Sequence, residues 1–504
     1  MSPLLLVLLL VPAALIGVVL AGLWSAGRFL TFPTGRPATA LPLGMDSALD
    51  HALAPVELRH PGQSGARLVP DPHEALAHRL AMVAGAGRSV DLLYYMWNDD
   101  LAGNRLSAEI LAAADRGVRV RMLLDDVNVL GRDPAYRALD KHPRIEVRLF
   151  NPVRNRDRGL KRGLELLFNL MPLNRRMHGK LMIADGRLMI TGGRNIGDEY
   201  FGLGGGTGHD YTDLDILMAG AVLRQAEELF DAFWNSGIAQ PIRRIAPARG
   251  FRLRRYRRRL RRRLAAPGAE ARLGRALREM PALPDPSRLH WGDTATFVGD
   301  PPHKALDDRR HGWMPEVLLP LLSSAQTELR ILTPYFVPGP QGLATLCALA
   351  ERGVRVQIVT NALMMADNPF VHGAYAWYRR RLLAAGVEIH EVAPRTRPRL
   401  MLHAKAFLVD GQHGFVGSFN FDMRSAFLNT ETGVILSDAP VVADLAGMID
   451  AATGPDVAYR LALQDGRLCW TRPGEAALFR EPHCRWWRRA ITGVVGHLPI
   501  HRFL

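Results

Sequence analysis

A chain of 504 residues with 48% apolar content is too long for one ordinary hydrophobic core and suits two domains with appendages. A formal charge of +15 and a pI near 10.3 call for an anionic partner, either nucleic acid or an anionic membrane. The only cysteines, Cys347, Cys469 and Cys484, have no close pair, which excludes a disulfide framework or a cysteine-based zinc site.

The first element, "LLLVLLLVPAALIGVVLAGLW" over residues 4–24, is uncharged and about the length of a spanning helix. It lacks a basic lead-in and exceeds the core of a signal peptide, so residues 1–24 are expected to be an uncleaved transmembrane anchor. Cleavage within "LAGLWSAG" is the competing reading. Only Arg28 and Arg36 follow closely, so the side of the membrane is unspecified. A proline-containing linker is expected over 25–52.

Residues 53–240 and 291–475 read as two domains, because long blocks repeat between them. The stretch "RSVDLLYYMWNDDLAGNRLSAEILAAADRGVRVRMLLDD" from Arg88 is echoed by "TELRILTPYFVPGPQGLATLCALAERGVRVQIVTNA" from Thr327. Each predicts a buried strand, a polar turn, an amphipathic helix closed by Gly117 or Gly353, and a second buried strand. A third strand follows in each, "IEVRLFNP" and "VEIHEVAP". The expected fold is α/β and tandem-duplicated, each domain a mixed, mostly parallel sheet flanked by helices.

Between them, residues 241–290 are expected to be a basic linker. Its run "RRIAPARGFRLRRYRRRLRRRL" reads equally as a solvated charged segment or as an amphipathic helix lying on anionic lipid, with Phe251, Leu253, Tyr256, Leu260 and Leu264 on one side. Residues 476–504, with Trp486 and Trp487 beside arginines, suit an interfacial tail or a helix packed on the second domain. "LELLFNLMPL" over 164–173 is a further candidate for lipid contact.

The chemistry sits in a second repeated pattern. "HGKLMIAD" places His178, Lys180 and Asp185, and "HAKAFLVD" places His403, Lys405 and Asp410. "GGRN" ending at Asn195 and "GSFN" ending at Asn420 follow at equal distance, and then "TDLDILM" and "TETGVIL" align Asp213 with Glu431. Strand alternation puts each histidine and its lysine on one face. Lysine can hold phosphate oxygens, histidine can attack phosphorus or move a proton, and a carboxylate can fix a histidine's tautomer. Asn195, Asn420 and Ser418 could donate to the same oxygens. Asp185 and Asp410 each precede a glycine and read as turn residues or lysine partners in a supporting role.

These motifs resemble the two HKD motifs of the phospholipase D superfamily. Together with "YYMWNDD", "LFNP", "NRRMHGK", "GGRNIGDEYFG" and "LPIHRFL", they resemble its bacterial cardiolipin synthase subgroup. The resemblance implies two domains about a pseudo-twofold axis sharing one site in which His178 attacks the phosphodiester and forms a phosphatidyl-histidine. His403 would be the acid and base, Lys180, Lys405, Asn195 and Asn420 would bind phosphate, Glu431 would orient His403, and Asp213 would orient His178. No metal or cofactor is implied.

The implied reaction joins phosphatidylglycerol to a second phospholipid, phosphatidylglycerol or phosphatidylethanolamine, at the bacterial inner membrane. The partners are phospholipids and an anionic membrane surface in preference to nucleic acid, and no accessory protein is specified. Hydrolysis to phosphatidic acid and nuclease action are the alternatives within the superfamily.

Overall fold

The computed structural model describes residues 35–156, 159–168, 173–204, 210–246, 252–281, 283–306, 311–395 and 400–497, together with residues 12, 16 and 17. Two nine-stranded sheets organise the chain. Three parallel strands centre the first: Ser89–Tyr94, Arg119–Asp125 and Ile145–Phe150. Their counterparts in the second are Glu328–Leu332, Arg355–Asn361 and Glu388–Val392. The helices Leu101–Asp115 and Gly339–Glu351 make the crossovers, as the repeated "RGVRV" anticipates.

Beyond this βαβαβ unit each sheet turns antiparallel. Lys180–Ala184, Leu188–Gly192 and Asp215–Gly220 extend the first, and Ala406–Val409, His413–Gly417 and Thr432–Leu436 extend the second. The expectation of mostly parallel sheets is therefore corrected: only two of the eight pairings in the first sheet, and two of eight in the second, are parallel. The cause is local. Asp185 and Gly186 (φ 54° and 66°), and Asp410 and Gly411 (φ 53° and 62°), take left-handed backbone, so each motif strand folds back as a hairpin.

The sheets share a core. Leu93, Leu181, Ile183, Met189 and Phe230 of the first half pack in one apolar cluster with Leu332, Val359, Leu408, Val416 and Val434 of the second. This layer joins the halves beneath the ends of the motif strands.

The segment expected to be a linker over 241–290 folds onto the first half. Helix Leu253–Leu264 buries Tyr256 and Leu260 in that domain's core, and Arg257 pairs with Asp115 at 2.6 Å. Its apolar stripe faces protein, which corrects the reading that lays this helix on lipid. Helix Ala269–Arg278 follows, strand His290–Gly292 joins the first sheet, and Thr296–Gly299 opens the second. Helix Ala48–Glu57 begins inside the stretch expected to link the anchor, closed by a Ser47–Asp50 capping box.

No helix among the described residues is long and apolar enough to cross a membrane. The apolar run 4–24, apart from residues 12, 16 and 17, lies outside the described residues, as do part of the 164–173 run and the terminal "LPIHRFL". Helix Trp486–His497 packs against Pro369–Ala384 while Trp486 stays 78% exposed.

Asp185 and Asp410 fasten the hairpins to the βαβαβ unit. Asp185 accepts from the amides of Gly87, Arg88 and Ser89, each at 2.8 Å. Asp410 accepts from the amides of Gln326, Thr327 and Glu328 at 2.7–3.0 Å. Asp185→Ala leaves three amides to find new partners and should cost about 1–3 kcal/mol. Thermal unfolding should show a clear loss for Asp185→Ala and a smaller one for the more exposed Asp410→Ala.

Candidate active site

Each motif histidine stands where its strand begins, at the seam between the halves. The main-chain N–H of His178 donates to Thr430 O at 2.8 Å, and that of His403 donates to Thr212 O at 2.8 Å. Strand Leu400–Leu402 runs parallel to Asp210–Thr212, and Met177 bridges Thr430. The reciprocal bonds give the seam the form of a pseudo-twofold. They also place each histidine beside the carboxylate of the other half.

The carboxylate pairing is thus crossed. His178 Nδ1 lies 2.8 Å from Glu431 Oε2, and His403 Nδ1 lies 2.6 Å from Asp213 Oδ2. This corrects the expectation that Glu431 orients His403 and Asp213 orients His178. The reason is the docking of the halves, which sets the backbone of 430 against 177 and that of 212 against 402.

The shorter aspartate is matched to its surroundings. Glu431 accepts from Ser418 Oγ at 2.5 Å and from Ser425 Oγ at 2.9 Å. At the position matching Ser418 the first half has Gly193, where a Cβ would meet Asp213 Oδ1 at 2.0 Å. Asp213 is steadied instead by the Leu214 amide at 2.8 Å. Ser418, expected to bind phosphate, is committed to its carboxylate.

Both lysines are fully buried, and each donates to the main-chain carbonyl of its own histidine. Lys405 Nζ also lies 2.9 Å from Nδ1 and 3.3 Å from Nε2 of His403. Lys180 Nζ lies 5.5 Å from the centre of the Tyr95 ring. The Tyr95 ring stands edge-on to His178 at 5.1 Å, and Tyr200 does the same to His403 at 5.3 Å.

Burial dominates the electrostatics. It pushes the imidazoles of His178 and His403 down to about 4, helped at His403 by Lys405 and opposed by Glu431 and Asp213. It pushes Lys180 down to about 7, opposed by Glu431 and helped by Lys405, and Lys405 to about 8, opposed by Asp213 and Glu431. Burial opposes ionisation of Asp213 and Glu431, yet the facing histidines and lysines hold both below the usual carboxylate range. The resting site is two neutral imidazoles backed by two anions.

The asparagines differ. Asn195 bonds Tyr200 OH at 3.0 Å and accepts from the Met96 amide at 3.2 Å, so both ends of its amide are engaged within the protein. Asn420 is buried with its side-chain oxygen unpartnered among the described residues. Asp185 and Asp410 stand apart, at the far ends of the motif strands and about 23 Å of extended chain from the histidines.

Sequence reasoning missed the residues that hold the histidine segments in place. Asp125 Oδ2 accepts from the Met177 amide at 2.9 Å, and Asn361 exchanges bonds of 2.8 and 3.1 Å with the backbone of Leu402. Both end the second strand of the repeat, at the same offset from "RGVRV", so the duplication carried the signal. Asp300, which accepts from the Glu431 amide at 2.8 Å and pairs with buried Lys304 at 2.9 Å, has no such echo.

The same assignment follows from likeness to known proteins. A family model described as cardiolipin synthase, PLD-like domain, matches residues 80–234 and 318–452. Cardiolipin synthase C of Escherichia coli (strain K12) is 35% identical over 484 residues, covering 90% of this chain and 99% of its own. Cardiolipin synthase A of Klebsiella pneumoniae is 28% identical over 395 residues, covering 77% and 68%. The crystal structure of phosphatidylserine synthase from Haemophilus influenzae Rd KW20 superposes with a TM-score of 0.55 at 13% identity, covering 88% of this chain and 96% of that one, a likeness of fold. With both motif pairs assembled into a single seam, the chain belongs to the phospholipase D-like cardiolipin synthase family.

Proposed function

We propose that the chain is a cardiolipin synthase-type phosphatidyltransferase, working through a phosphatidyl-histidine. The observation that carries this reading is the crossed seam: two imidazoles, each with Nδ1 held by a buried carboxylate, leave two Nε2 atoms and two ammonium groups for one phosphodiester.

His178 Nε2 attacks phosphorus of a phosphatidylglycerol, forming the P–N bond and expelling glycerol, which takes a proton from His403. Neutral His403 then removes the proton of a second lipid's hydroxyl. That oxygen attacks phosphorus, the P–N bond breaks, and cardiolipin leaves with His178 restored. Phosphatidylethanolamine as donor would release ethanolamine instead. His178 suits the nucleophile because, among the described residues, no ammonium lies within hydrogen-bond distance of its ring, whereas Lys405 lies against that of His403. In the free enzyme His403 is held neutral. A phosphodiester anion between the lysines offsets their charge and lifts the imidazole, which takes up a proton from solvent as the donor lipid binds and returns it once cardiolipin has left.

An apolar cavity of about 510 Å³ supports lipid over nucleic acid as substrate. It is lined by Leu318, Leu319, Leu322, Phe419 and Phe421, the last two flanking Asn420 on either side. Exposed Leu167 (69%) and Trp486 (78%) offer apolar contacts toward a membrane, and the 4–24 run supplies an anchor in this reading. Water in place of the second lipid would give phosphatidic acid.

Purified protein incubated with labelled phosphatidylglycerol, with and without phosphatidylethanolamine, should yield cardiolipin. Phosphatidic acid alone would favour a hydrolase, and inert lipid with cleaved oligonucleotide would favour a nuclease. His178→Ala and His403→Ala should each lose about 10³-fold or more in rate. Because binding takes up a proton on His403, kcat/KM should decline as pH rises above about 4, and the decline should steepen through about 7 to 8, where Lys180 and Lys405 lose their protons. The acid limb should lie low, near 4, where free His178 gains a proton and can no longer attack.

A further inference from the structure

A second basic cavity lies at the far end of the first sheet. Strand Arg119–Asp125 runs from it to the active-site seam, about 20 Å away along the strand. The cavity holds about 660 Å³ and is lined by seven arginine or lysine side chains against two carboxylates. Residues 35–40 roof it and are fastened there by side chains of the domain. Arg148 donates to Arg36 O at 2.5 Å, Arg121 to Ala38 O at 3.0 Å, and Arg119 Nη1 to Thr39 O at 2.8 Å. Gly35 lies on the Arg148 guanidinium, where a Cβ would come within 2.3 Å of Cζ.

Its polar lining is mostly donors, with Asp140 and Glu146 as the facing carboxylates. Trp234 is fully buried and lines it, and its Nε1–H has no partner among the described residues. Arg119 lines it too, with Nε and Nη2 buried and likewise unpartnered. Arg36 and Arg144 enter it without an ion pair among the described residues. All three orphaned atoms are donors, and buried donors left unmatched cost free energy. A group with several acceptor oxygens and negative charge would satisfy them and offset the surrounding arginines.

We infer that this cavity is a second anion site, separate from the catalytic seam, which takes a phosphate-bearing group through Arg119, Trp234, Arg36 and Arg144. Two sources share that chemistry, the headgroup of an anionic phospholipid and free phosphate. The ten residues 25–34 separate the apolar run from the roof, so the cavity lies within about 35 Å of the end of that run. That reach puts a lipid headgroup within range.

The test is calorimetric titration of the full chain in neutral detergent, with inorganic phosphate and, separately, with a short-chain phosphatidylglycerol. Wild type should show a binding event beyond the one at the catalytic seam. Arg119→Gln, and Trp234→Phe, which keeps an aromatic ring and removes the N–H, should each weaken that event tenfold or more while leaving the other in place. If Trp234→Phe does not fold, Arg119→Gln alone decides. Tighter binding of the lipid than of phosphate assigns a headgroup, and the reverse assigns free phosphate. A single binding event in wild type, or a second event unchanged in the folded variants, overturns the inference.

Discussion

Glu431 and Asp213 each lie buried against a histidine of the other half, 253 and 190 residues away in the chain. A buried carboxylate needs a facing cation or donor, and a buried imidazole needs its tautomer fixed. Each half supplies what the other lacks, so neither could present a working histidine alone. The docking of the halves follows from the same constraint: the backbone bonds at Thr430 and Thr212 and the shared apolar layer beneath them bring the pairs into register.

The charge arrangement follows from burial. The lysines stand within reach of both carboxylates and lose part of their basicity to burial, Lys180 also to Lys405. The imidazoles stay neutral because burial and the lysines outweigh the carboxylates. Such a site is poised rather than charged, and an arriving phosphodiester anion completes the balance. That is the physical sense in which one compartment can run both attack and proton transfer with two chemically similar histidines.

The repeated motifs make the site legible in the amino-acid sequence itself. His178, Lys180, His403 and Lys405, with Asn195 and Asn420, recur at fixed spacing, a polar set kept on otherwise apolar strands in both copies of the duplicated unit. Asp185 and Asp410 are legible as turn residues, since each precedes a glycine with left-handed backbone. The crossing is not legible. Nearness along the chain suggests that Glu431 serves His403, whereas docking of the halves, which leaves no mark in spacing, decides otherwise. The antiparallel half of each sheet is hidden because buried strands read alike whatever their direction. The arginine-rich helix shows its apolar stripe in the sequence, but what the stripe faces is a tertiary fact, settled by Tyr256 and Leu260 inside the first domain.

The crossed pairing is tested most directly by nuclear magnetic resonance of protein labelled with ¹⁵N-histidine, following the Nδ1–H signals of His178 and His403. Glu431→Gln should move the His178 signal and leave that of His403 in place, and Asp213→Asn should do the reverse. Movement of the His403 signal in Glu431→Gln, with His178 undisturbed, would contradict the account.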